Sequence, residues 1–317
     1  MEQLATFLSD LLNLIITASL VIFTLVLGVI IAKKVLDKLI FIDMAKRSLS
    51  STNHCCLLIK IPPSNEQKED ATEEFLRSMH HVLANDATLS LEMASVNQFL
   101  TFYITIPKNY KSVIESQLYA QYPDAEVEEV EDYLPSLLAA TSFVELDFKR
   151  SSLLPLKTYH HIEDDVLKSF SAILSKTEPD EKVFIQFALK RAGSKFWERG
   201  LGGFLFKLYG RKYDASGELT PSFYKYSQDL YIGKLRLAYV AKDEVTAQAK
   251  LNTLLGLFKT VKGANELRKK RLPFFQNLPL AFKVRIFENV DFWSAPELAT
   301  LYHFQYKGSI VSNVVYT

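Results

Sequence analysis

Cysteine is nearly absent from this chain: Cys55 and Cys56 are the only two, and they are neighbours. Adjacent cysteines form a disulfide poorly, so a disulfide-stapled secreted domain is excluded and a reducing compartment is favoured. The pair lies in an apolar run with Leu57, Leu58 and Ile59. We therefore expect two buried, unreactive thiols, with a reactive or metal-binding pair as the alternative.

The chain also lacks an excess of charge of one sign. Its 37 lysines and arginines balance 36 aspartates and glutamates, which leaves a net charge of +1. A general electrostatic attraction to nucleic acid is therefore not indicated. Glycine is missing between Gly28 and Gly193 and then becomes frequent, which separates the two halves of the chain.

Catalytic motifs are missing from the sequence. The stretch 200–207 is glycine-rich and ends on a lysine, but it has neither the spacing nor the hydroxyl residue of a P-loop, and no Gly-x-Ser-x-Gly elbow occurs. Histidines come as two adjacent pairs, 80–81 and 160–161, beside His54 and His303. Neighbours on a helix point about 100° apart, so neither pair chelates one metal easily; a site that uses both pairs is the alternative. We predict a non-enzymatic chain with no catalytic residue, cofactor or metal.

One long hydrophobic run is present near the N-terminus, from Leu11 to Ala32, and it carries no charge. At about 1.5 Å per residue, a helix of this length crosses the hydrocarbon core of a bilayer. A buried core helix is usually shorter and has a polar stripe, and a signal peptide has a basic start, whereas residues 1–10 contain Glu2 and Asp10 without lysine or arginine. The run predicts an uncleaved single-pass anchor.

The charges beside the anchor predict its direction. Basic residues follow the run within a few turns, namely Lys33, Lys34, Lys38, Lys46 and Arg47. Because cytoplasmic flanks carry the excess of lysine and arginine, we expect the N-terminus outside and residue 33 onward in the cytoplasm. Residues 1–50 then form the anchor and a juxtamembrane helix.

Periodicity after residue 50 predicts an α+β fold in which a βαββαβ order occurs twice. The first unit, 52–132, has strands at 54–61, 89–95, 99–106 and 125–130, with helices at 66–83 and 110–121. The second unit, 142–270, has strands at 143–148, 183–189, 230–240 and 264–267, with helices at 164–176 and 244–261. Four antiparallel strands with two helices on one face suit this order, so we predict two ferredoxin-like units. Residues 271–317 remain as a C-terminal extension.

An insertion at 191–226 interrupts the second unit and mixes basic with aromatic residues. Its members include Arg191, Lys195, Phe196, Trp197, Arg199, Phe204, Phe206, Lys207, Tyr209, Arg211 and Lys212. Such a composition suits a segment that lies on lipid headgroups. A flexible hairpin packed on its own domain is the alternative.

A second basic cluster follows at Lys259, Lys262, Arg268, Lys269, Lys270 and Arg271. Beside a membrane such a cluster contacts anionic lipid, a partner protein or DNA. Aromatic residues on a central strand, at 99, 102 and 103, raise RNA stacking as an option, but the RNA-recognition signature is absent. Acidic residues at 124–132 are expected on a solvated strand edge that resists pairing.

Three stretches together resemble a known family. They are Ile106-Pro107-Lys108 with the run from Glu115 to Tyr133; Leu156-Lys157-Thr158-Tyr159 with Asp165 and Leu174-Ser175-Lys176; and Glu297-Leu298-Ala299-Thr300-Leu301-Tyr302-His303-Phe304. These resemble the membrane-proximal N-terminal region of bacterial conjugative-transfer, type IV secretion-like ATPases of the FtsK/HerA superfamily. In that family the third stretch continues with proline and an ATPase domain, whereas Gln305 stands here and the sequence stops at Thr317. A stand-alone relative, a split gene product and a truncated reading frame are the options.

The resemblance implies a docking or assembly module for a transfer ATPase at the bacterial inner membrane. Its expected partners are membrane lipid, a separate P-loop ATPase or secretion-system subunit, and further copies of the chain. A membrane-tethered nucleic-acid-binding protein that uses residues 191–212 and 259–271 is the alternative.

Overall fold

Helices and antiparallel strands alternate along the chain in a computed structural model. It describes residues 2–50, 53–134, 141–163, 165–174, 176–193, 220–270, 278–287 and 291–307. The chain divides into an N-terminal unit, Met1–Ser50, and a second unit, Ser51–Thr317.

The N-terminal unit is one helix, α1 (Glu2–Ser50). Its segment Leu11–Lys33 is, by length and composition, able to cross a membrane, and none of it is buried. Large apolar side chains such as Leu20, Phe23 and Val29 are exposed all along it. The helix continues to Ser50, as predicted for the juxtamembrane segment.

The first half of the second unit follows the predicted order. Its elements are β1 (His54–Lys60), α2 (Glu69–Val82), β2 (Thr88–Val96), β3 (Phe99–Pro107), α3 (Lys111–Gln121) and β4 (Glu126–Val130). Strands β2 and β3 form a hairpin whose turn residues, Asn97 and Gln98, both have positive φ, as a tight two-residue turn requires. Glu69 and Asp70 complement the dipole at the start of α2.

The second half repeats the order with shifted boundaries. Its elements are β5 (Thr141–Phe148), α4 (Val166–Leu174), β6 (Lys182–Arg191), α5 (Pro221–Tyr226), β7 (Leu230–Val240), α6 (Glu244–Leu255) and β8 (Leu267–Lys269). The predicted strand at 264–267 lies later, because the Asn265 side chain donates to carbonyls of the loop at Ser151 and Leu154 and so belongs to a turn. The predicted helix at 244–261 ends at Leu255, before Gly256 and a 3₁₀ turn.

The C-terminal residues do not form an extension. Of 271–317, the described parts hold α7 (Leu278–Val284), β9 (Asp291–Ser294) and α8 (Ala295–Leu301). Strand β9 pairs with β7, and Ser294 and Glu297 form a capping box at the start of α8. Because every residue of α8 is buried, these elements complete the core.

The nine strands of the described residues belong to one sheet with antiparallel pairing. The order along it is β4-β1-β3-β2-β6-β7-β5-β8, with β9 on β7. The two halves meet at β2 and β6, which pair from Thr88↔Lys190 to Val96↔Lys182. Among the described residues, β4 and β8 are therefore the edges of this path.

Apolar side chains cover both faces of the sheet unequally. The main core lies between the sheet and α2, α3, α4, α6 and α8, and includes Phe75, Leu91 and Phe187. A small cluster on the opposite face joins Ala94, Phe184 and Phe282 under α7.

Both cysteines are buried, as predicted. Burial raises the pKa of Cys56 to about 12, so the thiol stays protonated and unreactive at neutral pH.

Candidate functional site

A row of polar side chains crosses the centre of the sheet on the face opposite the main core. The register aligns Glu92 with Gln186, Gln186 with Arg236, and Arg236 with Glu145. All four residues are completely buried. Arg236 Nε donates to Glu145 Oε2 at 2.9 Å, and Gln186 Nε2 donates to Glu92 Oε1 at 3.2 Å.

The segment around α7 closes over this polar row. Gln186 Nε2 also donates to the Phe282 carbonyl at 3.0 Å, and Arg236 Nη1 donates to the Ala281 carbonyl at 3.0 Å. Arg285 contacts Glu92 at 2.6 and 3.1 Å and Asp132 at 2.7 and 2.9 Å. Residues 281–285 of the chain thus cover this face of the sheet.

The three aromatic residues of β3 do not form a stacking platform. Phe102 is buried against Tyr302 and Phe304. Tyr103 packs on Tyr133 with ring centroids 4.3 Å apart. Phe99 is half-exposed. Phe102 and Tyr103 therefore serve packing.

Near one end of the polar row, two carboxylates share one buried lysine. Lys234 Nζ lies 2.6 Å from Asp147 Oδ1 and 2.6 Å from Asp291 Oδ2. Burial, together with the like charge of Asp147, raises the pKa of Asp291 to about 6 despite the lysine. One carboxylate of this triad therefore titrates close to neutral pH.

The raised pKa of Asp291 predicts a pH-dependent stability. The pKa of Asp291 is about 6 in the folded chain and about 3.9 in the unfolded chain. The stabilisation that comes from protonated Asp291 is therefore complete below pH ~4 and is lost as the pH rises through ~6. We expect the free energy of unfolding of wild type to rise by about 1 kcal/mol relative to that of Asp291→Asn as the pH is lowered from ~7.5 to ~5. Urea unfolding at the two pH values measures this.

The control for that comparison is Asp243→Asn. Asp243 accepts hydrogen bonds from Thr246, which lower its pKa. Its stabilisation is therefore lost as pH falls, with the opposite sign. If the free energy of unfolding changes with pH in the same way for wild type and Asp291→Asn, the assignment of a raised pKa to Asp291 is contradicted.

The basic candidates fall into separate places. Arg191 ends β6 and donates to the Leu83 carbonyl at 3.3 Å. Arg268 and Lys269 are exposed on β8, whereas Lys270 pairs with the buried Glu145 at 2.5 Å. Lys195, Trp197, Arg199, Phe204, Phe206, Lys207, Arg211, Lys212 and Arg271 lie outside the described residues. Strands β7 and β5 lie between β6, which ends at Arg191, and β8, so Arg191 is not a neighbour of Arg268 and Lys269 in the sheet.

The outer edge strand β4 is acidic, as predicted. Its glutamates face solvent and form ion pairs with neighbouring elements: Lys60 lies 3.2 Å from Glu128, and Lys111 lies 2.6 Å from Glu129. Exposed ion pairs of this kind contribute little stability. Their charge discourages pairing with another strand.

The adjacent histidines His80 and His81 share one carboxylate. His80 Nδ1 lies 3.3 Å from Asp229 Oδ1, and His81 Nε2 lies 3.7 Å from Asp229 Oδ2. These three residues could hold a metal ion, which differs from the expectation for helix neighbours because Asp229 lies between both rings. Burial lowers the pKa of His80, so its neutral form is favoured.

A second group of possible metal ligands joins distant parts of the second unit. His303 Nε2 lies 3.1 Å from Asp165 Oδ1 and 3.9 Å from Glu69 Oε1. Sequence reasoning treated His303 as a single histidine. Its carboxylate neighbours lie at the start of α2 and just before α4, and nothing in the local sequence indicates them.

Comparison with known proteins assigns a family without a described function. Residues 46–220, more than half of the chain, match the family described as "Domain of unknown function (DUF8128)". The chain belongs to this family. No curated protein matches it.

Among solved structures, two variants of berberine bridge enzyme are similar, one described as a reticuline dehydrogenase and one in complex with (S)-reticuline. The TM-scores are 0.30 and 0.29, with 13% and 14% sequence identity. Each similarity covers 66% of this chain and 41% of the other, so this chain spans less than half of their length. Likeness at this level does not bear on function.

Proposed function

We propose that this chain is a non-enzymatic, membrane-anchored docking module for a type IV secretion-like transfer ATPase at the bacterial inner membrane. The observation that carries the proposal is α1, whose 23-residue segment Leu11–Lys33 is long and apolar enough to cross a membrane and is exposed. It precedes a unit with its own core. An anchor followed by a folded body suits tethering of a partner at the bilayer.

The sheet supports reading the second unit as two ferredoxin-like units, 52–132 and 142–270. In the first half, the strands numbered in chain order lie side by side as β4-β1-β3-β2. In the second half, β5 to β8 lie as β6-β7-β5-β8, which is the same relative order read from the other end. We propose that the halves are repeats of one pattern, joined edge to edge through β2 and β6.

The flanking charges support the proposed direction, with the N-terminus outside and the second unit in the cytoplasm. Protease added to inverted inner-membrane vesicles is expected to digest the second unit, and right-side-out vesicles are expected to protect it. The reverse pattern would contradict the orientation.

Charging the anchor is expected to release the chain from the membrane. Leu20→Arg with Val26→Arg places two cations near the bilayer centre, at about 2.5–3.5 kcal/mol each. We expect most of the double variant outside the membrane fraction after alkaline extraction. The apolar control Leu20→Ile with Val26→Leu should remain there. Wild type released by the same wash would contradict a membrane-spanning anchor.

The docking proposal is tested with a P-loop ATPase encoded next to this chain. Full-length chain and ATPase, co-expressed and solubilised in mild detergent, are expected to purify together. The ATPase should leave the membrane fraction when the anchor carries the two arginines. Absence of a complex under these conditions would contradict docking.

The nucleic-acid alternative has a different test. DNA binding that weakens with salt and is lost in the double variant Arg268→Gln with Lys269→Gln would favour that alternative instead.

A further inference from the structure

Three ionisable side chains converge where the two halves meet the C-terminal residues. Glu69 is the first residue of α2, Asp165 precedes α4, and His303 follows α8. One ligand atom from each lies within 4.8 Å of the others. Since the three come from distant parts of the chain, the tertiary fold itself builds this cluster.

The hydrogen bond of His303 to the backbone assigns its tautomer. Its Nδ1 lies 3.0 Å from the Ala299 carbonyl oxygen, which can only accept, so Nδ1 carries hydrogen. The other nitrogen, Nε2, is buried and has no hydrogen-bond partner of acceptable geometry. It is directed towards Asp165 and Glu69. A backbone carbonyl that fixes one imidazole nitrogen while the other is left open is the usual arrangement of a metal-binding histidine.

In Asp165, likewise, one side-chain atom is hydrogen-bonded to the backbone and the other has no hydrogen-bond partner. Its Oδ1 accepts from the backbone N–H groups of Leu167 and Lys168 at 2.7 and 3.2 Å, which caps α4. Its Oδ2 is buried without a partner. Burying an unpaired carboxylate oxygen beside an unpaired imidazole nitrogen is costly unless a cation lies between them.

The cluster borders a small cavity with room for an ion. The cavity measures about 50 Å³ and is lined by Glu69, Tyr159, Ile162, Glu163, Asp165, Val166, Thr300 and Tyr306. This volume exceeds the roughly 10–15 Å³ that one water-sized particle needs. Three of its lining residues are carboxylates, so the cavity attracts positive charge.

We propose that Glu69, Asp165 and His303 bind one divalent zinc ion. Zinc takes imidazole nitrogen and carboxylate oxygen at about 2.0–2.2 Å in a tetrahedron. Ligand atoms on such a tetrahedron lie about 3.3 Å apart. His303 Nε2 lies 3.1 Å from Asp165 Oδ1, the capping oxygen, and 3.9 Å from Glu69 Oε1, so both carboxylates lie close enough to share an ion with Nε2, to which Asp165 offers its unpaired Oδ2. Ca²⁺ fits less well, because it takes 6–8 oxygen ligands. The ion ties the start of α2 to α4 and to the residues after α8.

The test uses the full chain purified in detergent without chelators. Elemental analysis is expected to find about one zinc per chain, and EDTA is expected to remove it and lower the melting temperature. Asp165→Asn keeps an oxygen that caps α4 but removes the charge, and Glu69→Gln removes a charge at a less buried position. Each variant is expected to lose at least tenfold in zinc affinity, as observed for metal sites whose ligand shell is weakened.

The matched control is Asp243→Asn, since Asp243 caps α6 in the same manner but has no such cluster. It should keep wild-type zinc content. Folding of each variant is checked by circular dichroism; if Asp165→Asn fails this check, Glu69→Gln decides. Folded wild type without zinc and without a melting shift on zinc addition would overturn the proposal. Zinc retained in Glu69→Gln and Asp165→Asn but lost in His81→Gln would also overturn it, by moving the site to Asp229.

Discussion

Replacing Trp293 by alanine is expected to lower the free energy of unfolding by about 3–5 kcal/mol. Trp293 lies in β9 and is completely buried. Its ring packs against Phe148 and Phe187 with centroids 4.8 and 5.8 Å away, and its Nε1 donates to the Gly233 carbonyl at 3.4 Å. Alanine leaves a cavity and removes this hydrogen bond, and both effects destabilise.

Urea unfolding of the full chain in mild detergent, followed by far-ultraviolet circular dichroism, measures this loss. The control is Phe99→Ala, because Phe99 is half-exposed in β3. We expect the control to lose less than about 1 kcal/mol. Equal losses for the two variants would contradict the assignment of the C-terminal residues to the core.

The variant Arg285→Met is expected to destabilise the chain by about 3–5 kcal/mol, the usual result of removing one member of a buried ion pair. Glu92 is completely buried and would lose both contacts from the guanidinium. Ser90 and Tyr133 would remain as donors to it, at 2.5 Å each. The same change frees α7 from Asp132, so the second face of the sheet should open.

A double-mutant cycle with Glu92→Gln separates the ion pair from packing. Because Glu92→Gln removes the charge that Arg285→Met leaves unpaired, the double variant should be less destabilised than the sum of the single ones. Arg268→Met is the control for loss of an exposed arginine and should stay within about 0.5 kcal/mol of wild type. Strict additivity would show that the pair does not hold α7 to the sheet.

Local patterns predicted much of the sheet. The β2–β3 hairpin follows from the turn around Asn97 and Gln98, and the acidic edge strand β4 follows from its alternation of apolar and acidic residues. Both features depend on neighbours in sequence, where propensity and periodicity are informative. The end of α6 and the start of β8 are less well predicted, because Gly256 acts through a helix cap and Asn265 through a turn.

The C-terminal elements could not be placed in the same way. Strand β9 has four residues and pairs with β7, which is remote in sequence. A strand of this length is too short to show an alternation of apolar and polar residues in the sequence. The Ser294–Glu297 capping box was a readable signal for α8, but it indicates a helix start and not where the helix packs.

The polar row and the cluster at His303 could not be predicted from the sequence for a related reason. Glu92, Gln186, Arg236 and Glu145 look like the solvent side of alternating strands, yet α7 covers them. Nothing in the strand pattern tells a solvated face from one closed by a later segment. The cluster at His303 likewise exists only after α2, α4 and α8 have packed.

The pairing of β9 with β7 has a consequence for biosynthesis. Trp293 and His303 are synthesised after strands β1 to β8, so the sheet of the growing chain stays incomplete until β9 and α8 have been made. During that interval the polar row on β2, β6, β7 and β5 is uncovered, since α7 has not yet been made. Nascent chains of this protein are therefore expected to need protection by a chaperone until α7 and α8 dock.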